Sequence, residues 1–266
     1  MERLGFAILA IFAAANSALA AGDPPAFVAQ AKALDWGEVF AGPERLMYLG
    51  ERHVDVRPKN ELAAVLRQAA AAGFTDLALE MLGDGRRDLL KDPAAPEAAL
   101  VEAFARDWGP EDKGFMPRDY ARVVIAAREA GLRVVPLDMT PEQKRLGWKA
   151  CRRDRGEDEC DEEELRARDD HMRDALARLL VEPGTGRVLA WTGGWHACRL
   201  EQAAGLAARG VASRSYFVIT RGGKYESGTD IVDYQKAIDD QGRAGERLLI
   251  GTGGAQACFD GLIALP

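Results

Sequence analysis

Short runs of apolar residues alternate along the chain with stretches in which apolar and polar positions follow a helical spacing. Two such stretches, 58–72 and 117–130, are each followed by a glycine, a typical stop signal for a helix. Further helices are predicted at about 162–180 and 200–209. Strands that are apolar throughout and alternate with helices are typical of a mostly parallel sheet with helices on both faces. The pattern therefore predicts a Rossmann-like α/β fold, with strands at RLMYLG, DLALEM, RVVPLD, RVLAWTG, SYFVIT and RLLIG.

Two segments depart from this alternation. Residues 84–114 scatter proline, glycine and aspartate among apolar positions, which predicts a helical insertion or lid. Residues 151–164 read CRRDRGEDECDEEE, and this density of charge predicts a solvated excursion rather than a cage for a ligand. The chain has 266 residues and no clear internal repeat, so we expect one sizeable α/β domain over residues 21–266 that carries both segments.

The first twenty residues (1–20) have the three parts of a secretory signal peptide. Arg3 is the positive start, LGFAILAIFAAA is a short apolar core, and ALA at 18–20 provides the small residues of a cleavage site. The apolar core is too short to span a bilayer, and no cysteine for lipid attachment follows it. We therefore expect a secreted or periplasmic protein whose mature chain has no transmembrane segment. An N-terminal core helix is the alternative interpretation.

Export changes the meaning of the four cysteines. An even number of cysteines in an oxidising compartment predicts disulfides, and their spacing is not that of a zinc site. Cys151 and Cys160 bracket a short charged segment that they could close as a local loop. Cys198 and Cys258 would then tie the C-terminal part of the chain to the core. Three pairings are allowed, and the sequence does not choose among them.

The charge balance restricts the partners that we expect. A net charge of −7 gives no support to a nucleic-acid partner, which normally meets a basic patch, and it disfavours attachment to an anionic lipid surface. A small-molecule or peptide substrate remains, and the sequence does not indicate an oligomeric state. No serine lies in a nucleophile-elbow pattern, which disfavours serine-dependent hydrolysis.

Polar side chains follow four of the predicted strands at the points where the strands end. The first strand runs into Glu51 and His53, the second ends near Glu80, the third ends at Asp138, and the fourth leads into His196. In an open parallel sheet, ligands bind outside the carboxyl ends of the strands. We therefore expect these five side chains to lie around one site.

The local sequence adds chemical detail to this site. Glu51 and His53 are two residues apart, so both side chains face the same way if the backbone is extended. Glu80 lies within LALEML, where an unpaired carboxylate would be costly to bury. Arg168 falls near the buried face of the third predicted helix, where it would orient a carboxylate or hold an anionic group, with a structural ion pair as the alternative. His171, on the flank of that helix, is expected at the surface.

The motifs LGERH, LALEM, YARVVIAAREAGLRVVPLD, RDDHM and WTGGWH occur in an order that resembles the ChaN-like proteins. These belong to the Tiki, or haem-binding uptake, superfamily, which also includes erythromycin-esterase-like enzymes and Tiki proteases. The resemblance runs from about Leu46 to Thr220 and implies a parallel-sheet fold with a Glu/His cleft. The chain departs from the ChaN branch in reading VDVRPKNE after the first histidine and in having Asp138 where asparagine is common. The matching site positions are Glu51, His53, Glu80, His196 and Arg168.

The leading hypothesis is hydrolysis of an ester or amide bond, in two versions. In the preferred version, a divalent metal ion lowers the pKa of a bound water and polarises the substrate carbonyl. In the other version, which esterase-like relatives imply, no metal takes part and His53 is the general base. The predicted metal ligands are Glu51, His53, Glu80 and His196, with Asp138 as an additional candidate.

Haem binding is the alternative that the name of the ChaN branch implies. Haem needs an axial histidine or tyrosine and an apolar pocket, and Tyr225 and Tyr234 are the candidate ligands. No CxxCH attachment motif occurs in the chain. A second alternative is an exported scaffold with a degenerate site, and the four intact Glu and His positions count against it.

Overall fold

One eight-stranded sheet forms the centre of the protein. The computed structural model describes residues 23–108, 116–144, 157–198, 204–223, 230–252 and 258–266. Its strands are β1 (Lys32–Ala33), β2 (Leu46–Glu51), β3 (Phe74–Gly83), β4 (Arg133–Asp138), β5 (Arg187–Gly193), β6 (Ser213–Thr220), β7 (Leu248–Gly251) and β8 (Gly261–Leu265).

The strand order across the sheet is β1-β7-β8-β6-β2-β5-β3-β4. The five pairings from β8 to β4 are parallel, and only the two pairings that involve β7 are antiparallel. The predicted α/β fold with a mostly parallel sheet is therefore confirmed. After β2, the chain forms β3 and β4 on one side of β2 and then returns to form β5 between β2 and β3. It next crosses to the other side of β2 to form β6. This reversal is the topological feature at which open α/β sheets bind ligands.

Helices cover both faces of the sheet. The residues of β2 show why, because Met47 and Leu49 enter one hydrophobic cluster while Leu46 and Tyr48 enter another, as alternation along a strand requires. The described helices are α1 (Pro24–Ala29), α2 (Trp36–Phe40), α3 (Val56–Ala71), α4 (Arg87–Lys91), α5 (Glu97–Trp108), α6 (Pro117–Glu129), α7 (Glu157–Val181), α8 (Gly194–Ala197), α9 (Ala204–Ala207) and α10 (Asp230–Asp240), with a 3₁₀ turn at Asp84–Arg86.

The connections determine which helices lie on which face. α3, α5 and α6 follow β2 and β3 and bury side chains such as Leu66, Phe104 and Val124 in the first cluster. α7 follows β4, where the chain turns back, and buries Met172 and Leu176 in the second cluster on the opposite face. The site-bearing ends of β2, β3, β4 and β5 are thus enclosed by helices of both layers.

Several elements differ from the sequence-based expectation. α7 begins at Glu157, so part of the charged segment 151–164 is helical rather than an irregular excursion. Acidic residues favour the first turns of a helix, because the amino end of the helix dipole attracts negative charge. The segment 84–108 contains the expected helical structure, and the helix predicted at about 200–209 is seen as α9. The strands β1 and β8 were not predicted.

Some predictions concern residues that the structure does not describe. The proposed signal peptide at 1–20, residues 109–114 of the proposed insertion, and Cys151 lie outside the described ranges, and the side chain of Cys160 is likewise not described. Cys198 and Cys258 form a disulfide, as expected from one of the allowed pairings. Within the described ranges, no helix is both long and apolar enough to cross a membrane.

Candidate active site

The six side chains predicted for the site form one continuous polar network at the carboxyl edge of the sheet. Glu51 ends β2, Glu80 lies near the end of β3, and Asp138 ends β4, all with almost no exposure to solvent. His196 lies in α8, directly after β5, and His53 lies two residues after the end of β2. Arg168 enters from α7 and connects the carboxylates of adjacent strands. The members are Glu51, His53, Glu80, Asp138, Arg168 and His196.

The β2 wall of the site, defined here as Glu51, His53, Lys59 and Tyr120, is held by three contacts to one carboxylate. Tyr120 donates its hydroxyl proton to Glu51 Oε1 (2.5 Å), and His53 Nδ1 lies 2.9 Å from the same oxygen. Lys59 Nζ donates to Glu51 Oε2 (2.5 Å) and to the His53 carbonyl oxygen (2.8 Å). An ionised carboxylate only accepts, so His53 carries its proton on Nδ1 and presents Nε2 outward when it is neutral.

Glu80 is the central anion of the network. Arg168 Nη2 donates to its Oε1 (2.6 Å), and the backbone N–H of Gly193 donates to its Oε2 (2.5 Å). His196 Nε2 lies 3.3 Å from Glu80 Oε1, while His53 Nε2 lies 3.7 Å from the same oxygen. The second distance is too long for a hydrogen bond, so His53 Nε2 is open to water or to a substrate atom.

The β5 wall, defined here as His196, Asp169 and Arg168, is held in place by hydrogen bonds and ion pairs to neighbouring side chains. His196 Nδ1 lies 2.6 Å from Asp169 Oδ1, and its Nε2 faces Glu80. Arg168 Nε and Nη2 bind the two oxygens of Asp138 at 3.1 and 2.9 Å. Asp138 also forms an ion pair with Lys144. These contacts leave His196 fixed within the protein.

The pKa values follow from burial and these charges. Burial alone would lower the pKa of His53, but the charge of Glu80 and the hydrogen bond that His53 donates to Glu51 outweigh it and raise the pKa to about 9. Burial also opposes the shift at His196, where Glu80 and Asp169 raise the pKa to about 9. Burial would raise the pKa of Glu80, yet the two histidines hold it well below its usual range. Both histidines are therefore mainly protonated at neutral pH, and Glu80 is ionised.

Aromatic and glycine residues shape the space beside His53. The Trp108 ring meets the His53 ring edge to face, with centroids 4.8 Å apart. Gly193 faces the same histidine, and a Cβ atom at this position would lie 2.9 Å from His53 Nε2. A side chain at position 193 would therefore crowd Nε2 of His53. Trp195, next to His196, is among the few exposed large apolar side chains.

The network does not fit a divalent metal ion. A metal needs free carboxylate oxygens, whereas here the oxygens of Glu51, Glu80 and Asp138 are bonded by protein donors. Among the described residues, no group of three or more His, Cys, Asp or Glu side chains is arranged to hold a metal. The predicted ligands are brought together, but as partners of protein cations and N–H groups.

The tyrosines proposed for haem give no axial ligand in the described part of the chain. Tyr234 is a residue of α10, is 1% exposed and belongs to the second hydrophobic cluster. Tyr225 lies outside the described residues. An axial ligand needs an open path to the iron, which the buried ring of Tyr234 does not offer.

Five residues of the site were not predicted from the sequence as functional: Lys59, Trp108, Tyr120, Lys144 and Asp169. Lys59 and Tyr120 lie on the buried faces of α3 and α6, where a helical pattern normally indicates packing. The available signal was the charge of Lys59, three residues before the buried Leu62. A lysine on an apolar stripe needs a buried anion as its partner. His171, expected at the surface, is instead largely buried, with Nε2 3.5 Å from Asp84 Oδ2.

Comparison with known proteins gives a fold but no family. No protein-family model matches the chain, and no curated protein matches it. Among solved structures, the type III effector HopBA1 is similar, with 13% identity and a TM-score of 0.52 over 83% of this chain and 87% of that chain. ChaN of Campylobacter jejuni, described with cofacial haem binding, matches at 15% identity and a TM-score of 0.48 over 72% and 86% of the two chains.

A third solved structure is RRSP, a MARTX toxin effector domain from Vibrio vulnificus CMCP6. It is 18% identical, with a TM-score of 0.39, and the match covers 63% of this chain and 31% of that chain. At these identities, the match to HopBA1 shows a shared fold, and the two lower-scoring matches carry no argument about ligand or activity.

Proposed function

We propose that the protein is a hydrolase of an ester or amide bond in which His53 is the general base. The observation that carries the proposal is the contrast at the two nitrogens of His53. Nδ1 is anchored by Glu51 and Tyr120, while Nε2 makes no hydrogen bond to a described residue and belongs to a ring that is 23% exposed. An anchored imidazole with one free nitrogen is the arrangement that general-base catalysis requires.

The proton transfers follow from this geometry. Because the pKa of His53 is raised to about 9, only a minor fraction of the protein has the neutral ring at pH 7, and kcat/KM should rise with pH up to about 9. In this neutral form, His53 takes a proton on Nε2 from a water molecule, whose oxygen attacks the substrate carbonyl carbon. The imidazolium is stabilised by Glu51 through Nδ1–H and by the nearby charge of Glu80. The proton then passes from Nε2 to the leaving oxygen or nitrogen as its bond to the carbonyl carbon breaks. His53 returns to its neutral form, and one water has been consumed.

The occupied carboxylate oxygens favour this version over the metal-assisted one. Divalent metal binding would have to displace Arg168 from Glu80 or Lys59 from Glu51, and each displacement would leave a charged group buried without its partner. We therefore expect hydrolysis without a resident metal.

The test is turnover of chromogenic esters and peptide anilides by wild-type protein before and after chelation, with metal content measured on protein purified without chelator. Activity should survive chelation and should be lost in His53→Gln. Loss on chelation with recovery on adding zinc would favour the metal version. Full activity in His53→Gln would show that His53 is not the base.

Haem binding is the second candidate, implied by the resemblance of the motifs to the ChaN branch. A protonated His53 is a poor iron ligand, and Tyr234 is enclosed by the core. We expect a haem titration of purified protein to give no shift of the Soret band. A saturable shift would instead support haem binding. Absence of both haem binding and turnover would leave the exported scaffold as the remaining interpretation.

A further inference from the structure

We infer that the mouth of the cleft is a subsite for a carboxylate group of the substrate, which is bound by Arg168 Nη1 and Lys144 Nζ. The inference rests on the proposed hydrolase function, because it assigns a class of substrate to the same site. A carboxylate-bearing ester or amide would place its anionic group on these cations and its scissile carbonyl at His53.

The first support is the distribution of charge between the interior and the mouth of the site. The side chains of Glu51, Glu80 and Asp138 are at most 1% exposed. The side chains of Arg168 and Lys144 are 12% and 19% exposed. The anions of the network are therefore enclosed, and an approaching substrate meets the cations first.

The second support is the unused hydrogen-bonding capacity of Arg168. Its Nε and Nη2 bind Asp138 and Glu80, which orients the guanidinium as a fixed fork. Its Nη1 makes no hydrogen bond to any residue that the structure describes. A guanidinium held by two carboxylates, with one nitrogen still free, is preorganised to receive a third carboxylate oxygen.

The third support is the position of both cations beside His53. Lys144 Nζ and the Arg168 guanidinium lie over the Trp108 ring, at 5.0 and 5.4 Å from its centroid, and the same ring contacts His53. Glu80 Oε1 lies 2.6 Å from Arg168 Nη2 and 3.7 Å from His53 Nε2. A group bound by the cations would therefore lie next to the proposed base.

The test compares two esters of nearly the same shape, 3-acetoxybenzoate and its neutral amide, 3-acetoxybenzamide. We expect wild-type protein to prefer the anionic ester by at least about tenfold in kcat/KM, with the preference falling as salt rises. Lys144→Met should reduce the preference about tenfold, and Lys144→Arg should restore most of it. Lys236→Met, which removes an exposed lysine of α10, is the matched control and should leave the preference unchanged.

The products 3-hydroxybenzoate and 3-hydroxybenzamide provide a binding test that does not depend on turnover. Calorimetric titration should show tighter binding of the benzoate and a weakening of that binding in Lys144→Met. If neither ester is cleaved but this discrimination is present, the hydrolase proposal fails and the subsite stands. If both esters are cleaved with equal kcat/KM, or if Lys144→Met affects the two equally, the subsite is wrong while the hydrolase proposal stands.

Discussion

The two histidine-bearing walls of the site carry similar charges, but the histidine of one wall is partly exposed and the histidine of the other is enclosed. On both walls, Nδ1 of the histidine faces a carboxylate, at 2.9 Å for His53 and 2.6 Å for His196. The His53 side chain is 23% exposed and has an open Nε2, whereas the His196 side chain is 4% exposed and its Nε2 is 3.3 Å from Glu80. A pair of similar histidines can thus divide into one that reacts and one that positions Glu80.

Substituting each histidine separately is the strongest test of whether the two have different roles. His53→Gln should lower kcat/KM by on the order of 10³-fold, since it removes the base, and should destabilise the fold by up to about 3 kcal/mol at neutral pH, since it removes the imidazolium that pairs with Glu51 and Glu80. His196→Gln should lower activity less and destabilise the fold more, because its ring is enclosed and bonded on both sides. Steady-state kinetics and urea denaturation of both variants measure the contrast. Equal kinetic losses would contradict it.

Removing the cation of the β2 wall should have the next largest effect, on stability. Lys59 is 1% exposed and bonds Glu51, so Lys59→Met leaves a buried carboxylate without its cation. We expect a loss of about 3–5 kcal/mol in the free energy of unfolding. Lys236→Met, at an exposed pair with Asp240, should cost less than about 0.5 kcal/mol. A similar small cost at Lys59 would show that Glu51 is not held as described.

The pH dependence of stability should reveal the charge of both walls. The pKa of His53 and of His196 rises to about 9 on folding from an ordinary value of 6.5. Groups with raised pKa values stabilise the fold fully below pH 6.5, and this stabilisation is lost as pH rises through 9. We expect a loss on the order of 3 kcal/mol for either histidine between these limits, measured by denaturation at several pH values. His53→Gln should flatten the profile, and an unchanged profile would argue against the raised pKa.

The smallest effect is expected from filling the open side of His53. In Gly193→Ala, the new methyl group would lie 2.9 Å from His53 Nε2 and should lower kcat/KM about tenfold by obstructing the approach of water. Gly251→Ala is the matched control, because no atom lies within 4 Å of a Cβ at that position. The two glycine variants should differ in kinetics, and equal activity would show that the space beside Nε2 is not used.

The sequence predicts the strands and the clustering of strand-end residues well, for a physical reason. Apolar runs such as RLMYLG and RVLAWTG bury both faces, so each has few structural alternatives, and parallel strands bring Glu51, Glu80 and Asp138 to one edge. The partners of these carboxylates are harder to predict. Tyr120 reaches Glu51 from 69 residues along the chain, while Lys59 and Lys144 follow Glu51 and Asp138 by only eight and six residues. The contacts of all three depend on how the elements that carry them pack against the sheet.

The sequence-based predictions also differ from the structure at β8 and in the expected metal. GLIAL at β8 is short and begins with glycine, a weak strand signal, yet it gains stability by pairing parallel to β6 and antiparallel to β7. The preference for a metal at the site followed from the number of acidic residues near it. That number does not reveal that Lys59, Arg168 and Lys144 pair with them, because the three pairs are separated by 8, 88 and 6 residues and share no common spacing.

The Cys198–Cys258 disulfide links two parts of the chain that are synthesised at different times. Cys198 follows His196 by two residues, and Cys258 comes shortly before β8, so the bond fastens the His196 segment to a strand made much later in synthesis. Because the two cysteines are 60 positions apart, the bond cannot close until the segment before β8 has been synthesised. Oxidation of this cysteine pair therefore links the His196 segment covalently to a part of the chain that is made later.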